Sequence, residues 1–293
     1  MLCNICPRHC DVDRKTTLGF CGMPQELKVA RAALHLWEEP CISGDKGSGT
    51  VFFSGCNMRC VFCQNKDISH GGFGKTVTVE RLAEIFLELA KKGALNINLV
   101  TPTHFMQPII QAVARAKQMG LALPILYNTS GYETTQAVEL LEGTVDVYLS
   151  DFKYFDDTLA LKYSAAKDYS DYAKKAIAQM VQQVGECVFD EKGIIQRGVI
   201  VRVLVLPTHQ LDAKRIIQYL HKTYGDKIFI SIMSQYTPCT NLEKYPQINR
   251  TLNKKEYDEV VDFACSIGVE KGFIQEGAAA AESFIPPFDL EGV

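Results

Sequence analysis

The sequence predicts an α/β protein, a partial (βα)6 TIM-like barrel with a short N-terminal cysteine-rich module. Three observations carry this prediction. Six short apolar runs alternate with stretches of helical period, a polar cluster follows each run, and the first segment of the chain is far richer in cysteine than the rest. The runs fall at 51–53, 97–100, 124–127, 145–149, 199–206 and 228–232. Between them, Val79, Leu82, Ile85, Phe86 and Leu89 form one apolar stripe that Gly93 would stop. Pro108 suits the first turn of the next helix, which carries Ile109, Ile110, Val113 and Ala116 before Gly120. Later stripes are Ile177, Met180, Val181 and Val184, then Ile216, Ile217 and Leu220, then Val260, Val261 and Ala264.

Strands joined by helices in this way form either a doubly wound sheet or a βα barrel. The polar clusters decide between them. "SGCNMRC", "TPTH", "NTSGY", "SDFKYFD", "PTH" and "SQYTP" follow the six runs in turn. In a barrel all six fall on the C-terminal rim, where active sites of that fold sit, whereas a doubly wound sheet gathers its ligand at one switch point. The division expected is a cysteine-rich module over 1–45 and the barrel over 46–293.

The chain has 293 residues, 47% of them hydrophobic, enough for one large core. A net charge of -3 with no long basic run argues against nucleic acid or a membrane surface as the main partner. No stretch has the length of a membrane span, and "MLCNICPRHC" has no cationic segment followed by an apolar one, so a cytoplasmic location is expected. In a reducing compartment eleven cysteines point to metal rather than disulfides. Cys41, Cys187, Cys239 and Cys265 are isolated and read as small buried apolar residues. "GDKGSGT" at 44–50 lacks the lysine of a phosphate loop and reads as a turn into the first barrel strand.

Two clusters remain. Cys56, Cys60 and Cys63 stand at CxxxCxxC spacing after the first barrel strand. A structural zinc needs four ligands, with His70 the nearest further donor, and a [4Fe–4S] cluster held by three thiolates keeps one iron open. Cys3, Cys6, Cys10 and Cys21 supply four thiols, enough for zinc or for a second cluster. Arg202 lies within the apolar run "VIVRVLVL" and needs an anion, either a ligand or a structural partner.

The three-cysteine loop, with Phe62 before its last thiol, resembles the radical S-adenosylmethionine (SAM) superfamily. "CNICPRHCDVDR", "FFSGCNMRCVFCQN" and "MSQYTP" are similar to the branch described as pyruvate formate-lyase activating enzyme-like. The resemblance implies that Cys56, Cys60 and Cys63 ligate a [4Fe–4S] cluster whose open iron binds SAM. Reductive cleavage would give a 5′-deoxyadenosyl radical that abstracts hydrogen, in this branch from a protein glycine. It also implies a protein or peptide substrate and an electron donor of flavodoxin or ferredoxin type. On the same grounds Phe62 would pack on adenine or cover the cluster. "TPTH" replaces the usual glycine-rich stretch ending in glutamate, so Thr101 and Thr103 or nearby carbonyls would meet the cofactor amine. Asn128 and Thr129 would contact ribose or a monovalent cation, or simply form a turn. Asp151 and Lys153 match an Asp-x-Lys pair near the cofactor carboxylate, with Arg202 beside them. A radical enzyme acting on a small molecule or RNA, or a non-catalytic iron–sulfur or zinc redox sensor, is the alternative. The sensor leaves Asp151, Lys153 and Arg202 unexplained.

Overall fold

All six predicted runs form strands, and they lie side by side in parallel. The computed structural model describes residues 2–238, 242–275 and 285–293. In chain order its strands and helices are β1 (Lys28–His35), α1 (Pro40–Ser43), β2 (Ser48–Phe53), α2 (Lys66–Ser69), β3 (Lys75–Thr76), α3 (Val79–Lys91), β4 (Ile97–Val100), α4 (Met106–Gln118), β5 (Ile125–Thr129) and α5 (Thr135–Glu139). There follow β6 (Val147–Asp151), α6 (Asp157–Ser164), α7 (Tyr169–Val184), β7 (Val188–Phe189), β8 (Ile195–Leu204), α8 (Gln210–Tyr224), β9 (Phe229–Met233), α9 (Lys254–Ser266) and β10 (Gly272–Ile274). The sheet order is β10-β9-β8-β6-β5-β4-β2-β1-β3. Among the described residues this path does not close on itself, and the barrel is partial. No helix there is long and apolar enough to cross a membrane.

Register sorts the side chains into two sets. Val51, Leu99, Tyr127, Tyr148 and Val199 are successive partners across five strands and belong to the main core shared with the helices. The alternate positions point the other way, as the two-residue period of a strand requires. Low in the barrel these are Leu126, Leu149 and Ile200, which meet Cys41 and Ile42 of α1 in a separate apolar floor. One step higher the apolar character ends. Asp151 and Arg202 are direct partners across β6 and β8 and share the upper interior with Asn128.

The helices follow their apolar stripes. Helix α3 buries Leu82, Ile85, Phe86 and Leu89 and starts at Thr78, whose side chain accepts from the Arg81 amide. Helix α9 opens on a capping box between Asn253 and Glu256. Sequence periodicity places the second helix at Pro108; it begins two residues earlier, at Met106.

Four strands are additional to the six. The alanine-rich β1 runs antiparallel to β2 and falls within the 1–45 segment. Its outer edge is shared by β3 and the segment 287–293. The Leu290 amide donates to Ala30 O at 3.2 Å and the Ala32 amide to Glu291 O at 2.8 Å, while Arg31 pairs with Asp289 and Glu291. An edge strand covered in this way presents fewer free backbone groups. Of the isolated cysteines, Cys41 is buried as expected, but Cys187 is partly exposed and Cys265 is exposed on the outer side of α9. Cys239 lies outside the described residues.

The loop after β5 comes closest to the barrel at Gly131. Its φ of 75° is left-handed, and a Cβ there would collide with the Asp151 carbonyl oxygen and stand 3.2 Å from Ser150 Oγ. We expect Gly131→Ala to destabilise the fold by about 2–4 kcal/mol, the sum of left-handed backbone cost and overpacking, read by denaturant unfolding.

Candidate active site

Past β2 the chain turns at Gly55, where φ is 82° and a side chain would strike Met23. The following loop brings Cys56, Cys60 and Cys63 to one wall of a cavity of about 200 Å³ at the C-terminal ends of the barrel strands. Each sulfur meets a hydrogen-bonding group. The Met58 amide donates to Cys56 at 3.4 Å, Ser164 Oγ donates to Cys60 at 3.0 Å, and Ser69 Oγ lies 3.2 Å from Cys63. Asn57, between the first two thiols, donates to Tyr132 O at 2.8 Å and its own carbonyl accepts from Arg8 Nε at 2.7 Å. Burial raises the Cys56 and Cys60 thiols above their ordinary range, and the charge of Lys153 opposes this at both.

This donor set fits a thiophilic, polynuclear group better than a lone ion. Among the described residues no three His, Cys, Asp or Glu side chains converge on a single-ion site. Three thiols facing one cavity suit an iron–sulfur cluster with an open position. His70 turns its Nδ1 to Ser69 Oγ at 2.8 Å.

Across the cavity stand Asp151, Lys153, Asn128 and Arg202. Arg202 donates through Nε to Asp151 at 2.8 Å, through one terminal nitrogen to Glu38 at 3.1 Å and through the other to Asn128 Oδ1 at 2.7 Å. Lys153 Nζ reaches the second Asp151 oxygen at 2.6 Å. Glu38 completes the set by accepting from Asn98 at 2.9 Å and Asn128 at 3.2 Å. The anion that Arg202 requires is therefore supplied from within the chain, by Asp151 and Glu38. Burial opposes the Arg202 charge, but Asp151, Glu38 and Glu39 outweigh it and hold the guanidinium protonated. Burial likewise works against Asp151, yet Arg202 and Lys153 keep it below the usual carboxylate range. Glu39 differs, since burial pushes it upward despite Arg202.

Phe62, Thr101 and Thr129 also line the cavity. Phe62 packs edge-on against Tyr236, ring centroids 5.5 Å apart. Thr101 adopts a positive φ of 58°, uncommon for a β-branched residue. Thr103 is not brought to the cavity. It is buried, and its hydroxyl donates to Glu133 Oε1 at 2.6 Å. Thr129 donates to the same oxygen, and Tyr127 approaches it at 3.5 Å.

The N-terminal thiols gather beside the loop. A Cβ on Gly19 would lie 3.4 Å from the Cys10 sulfur and 3.9 Å from that of Cys21. Cys6 senses Cys10 and Cys21, and Cys21 senses Cys3 and Cys10. Burial pushes the Cys6 thiol up to about 12.

Sequence reasoning missed Glu38 and Glu133. Glu38 sits before the first barrel strand, outside any rim cluster; its one signal is the acidic pair preceding Pro40. Glu133 follows the "NTSGY" cluster and is fully buried.

An open βα barrel with three thiols after its first strand and a lysine and an arginine across the cavity fits the class of iron–sulfur proteins. The description of the Radical SAM superfamily matches residues 50–191. An uncharacterized protein of Methanocaldococcus jannaschii is 33% identical over 272 residues, which cover 89% of this chain and 74% of that protein. The chain belongs to the radical SAM superfamily, which implies a [4Fe–4S] cluster and SAM. The pyruvate formate-lyase-activating enzyme of Clostridium pasteurianum is 30% identical over 112 residues, 36% of this chain and 46% of that enzyme. Streptococcus suis SuiB bound to S-adenosylmethionine shares the fold, with a TM-score of 0.51, 12% identity, and coverage of 76% of this chain and 49% of SuiB. HydG, a maturase of the [FeFe]-hydrogenase, has a TM-score of 0.50 at 16% identity, covering 75% of this chain and 48% of HydG. The chain spans about half the length of these two solved structures.

Glu133 gives the site a pH signature. Burial raises it from 4.5 to about 7, partly offset by the hydroxyls of Thr103, Thr129 and Tyr127. A raised folded value means the group's contribution is complete below about 4.5 and is lost as pH rises through 7. Glu133→Gln keeps the acceptor oxygen and removes the titration. Its stability relative to wild type should therefore grow by about 3 kcal/mol between acid and alkaline pH, measured by denaturant unfolding across that range.

Proposed function

We propose that this chain is an activating enzyme that abstracts hydrogen from a glycine of a protein partner, with Cys56, Cys60 and Cys63 as the cluster ligands. The observation that carries the reading is the placement of the three thiols on one wall of a cavity whose other walls hold Lys153 and Asp151. The partial identity to a pyruvate formate-lyase-activating enzyme supports it. So does SuiB, a fold relative crystallised with its precursor peptide SuiA. When bound, the cluster and SAM supply one-electron reductive cleavage to methionine and a 5′-deoxyadenosyl radical.

The chain's own residues then have separable tasks. Lys153 faces the cofactor carboxylate, held by Asp151 so that its charge is fixed in place. Arg202 acts one step back, orienting Asp151 and Asn128. Phe62 and Tyr236 form the aromatic wall for adenine, and Asn128, Thr129 and Thr101 offer polar groups to ribose and amine. Leu204 and Met233 keep the remaining wall apolar, which limits water near a radical. The module at 1–45 closes over the thiol loop and leaves the radical step to the barrel at 46–293. A flavodoxin or ferredoxin in a reducing cytoplasm would deliver the electron.

Two substitutions separate these roles. Lys153→Ala should retain iron but bind SAM more weakly by roughly 2–5 kcal/mol, read by calorimetry under anaerobic conditions. Arg202→Ala leaves Glu38 buried without its cation and Asp151 with Lys153 alone, so it should lose about 3–5 kcal/mol of folding stability. The function itself is tested by incubating reduced, reconstituted protein and SAM with candidate glycyl-radical proteins. A persistent glycyl signal together with 5′-deoxyadenosine is expected. Deoxyadenosine formed only with a small metabolite or an RNA would overturn the activating role.

A further inference from the structure

Each of two cysteine sulfurs in the loop faces a hydroxyl whose oxygen is itself supported by a second polar side chain. Ser164 Oγ lies 3.0 Å from Cys60 Sγ and 2.8 Å from the hydroxyl of Tyr154. Serine has one hydroxyl proton. Directed at the sulfur, it obliges Tyr154 to donate to Ser164, giving a relay from Tyr154 through Ser164 to Cys60. Both residues are fully buried, where a hydroxyl without such partners would be costly. At Cys63 the same construction recurs with different residues. Ser69 Oγ is 3.2 Å from the sulfur and 2.8 Å from His70 Nδ1, and the tautomer protonated on Nδ1 lets Ser69 donate onward. Cys56 instead accepts from the Met58 amide at 3.4 Å and lies 4.0 Å from Asn57 Oδ1.

Ser164 is also fixed from its backbone. It ends α6, followed by Ala165 in the left-handed region at a φ of 51°. Arg8, from between Cys6 and Cys10, donates to the carbonyls of Ser164, at 3.3 Å, and Ala165. Its Nε takes the carbonyl of Asn57, and its guanidinium stacks 3.7 Å over Phe20. One side chain of the N-terminal segment thus fastens the serine and the thiol loop to each other.

We propose that Ser164 and Ser69 are positioning residues that set the reduction potential of the cluster held on Cys56, Cys60 and Cys63, through the Tyr154 and His70 relays. This rests on the reading of those thiols as ligands. A donor on a coordinating sulfur withdraws electron density and favours the reduced form, so each hydroxyl raises the potential. Chained donors polarise one another, which makes the second link count as well.

The test is an electron paramagnetic resonance redox titration of reconstituted full-length protein without SAM, with iron and sulfide counted in every sample. Ser164→Ala and Ser69→Ala should keep full iron and show a lower midpoint potential. Tyr154→Phe and His70→Leu, which keep the serine hydroxyls, should fall less. Ser164→Thr should return to the wild-type value, which loss of packing alone would not predict. Wild-type potential in both serine-to-alanine variants at full iron content would overturn the proposal while leaving the ligand reading intact. If those variants assemble no cluster, Tyr154→Phe decides, and an unchanged potential there is equally fatal. A cluster that survives Cys56→Ala with its signal unaltered would remove the ligand reading and this inference together.

Discussion

A guanidinium inside a barrel must be neutralised where it stands, and this constraint organises the upper interior. Arg202 is the register partner of Asp151 on the adjacent strand, so the ion pair follows from the pairing of β6 with β8. One carboxylate also holds Lys153, and Glu38 comes in from below to complete the balance. The consequence for function is precision. A lysine anchored to Asp151 presents its charge at a fixed point opposite the thiols, and Arg202 keeps that anchor from turning. Replacing such a network with well-packed apolar side chains is often neutral or stabilising, since buried ion pairs seldom maximise stability. Its retention at the mouth of the cavity fits a role in orienting a charged ligand.

Much of this was legible in the sequence because strand-length apolar runs and rim clusters are local signals. The six barrel strands, their parallel order and the loop of Cys56, Cys60 and Cys63 each follow from patterns a few residues long. The alanine-rich β1 carries little strand propensity of its own, and β3 and β7, at two residues each, are too short to show a pattern. They depend on neighbours already in place. The segment 287–293 lies some 250 residues from the strand it covers, and nothing local announces that pairing.

Site residues divide in the same way. Phe62, Asn128, Asp151, Lys153 and Arg202 stand at strand ends or in the rim loop, where position alone implies the cavity. Thr103 sits three residues past its strand, at the start of a short helical turn, which carries its hydroxyl away from the cavity to Glu133. Glu38 was hidden for the opposite reason, since it enters the barrel from a loop at the far end of the strands. Its contacts with Asn98, Asn128 and Arg202 span three strands, and only their assembly into one barrel brings them together.

The cluster proposed for the thiol loop has an open position for SAM. The most direct measurement is the electron paramagnetic resonance spectrum of the reduced, anaerobically reconstituted protein before and after SAM is added. A clear change of line shape is expected in the wild type, from a cofactor bound at the cluster itself. A spectrum unaltered by saturating SAM, at full iron content, would contradict it.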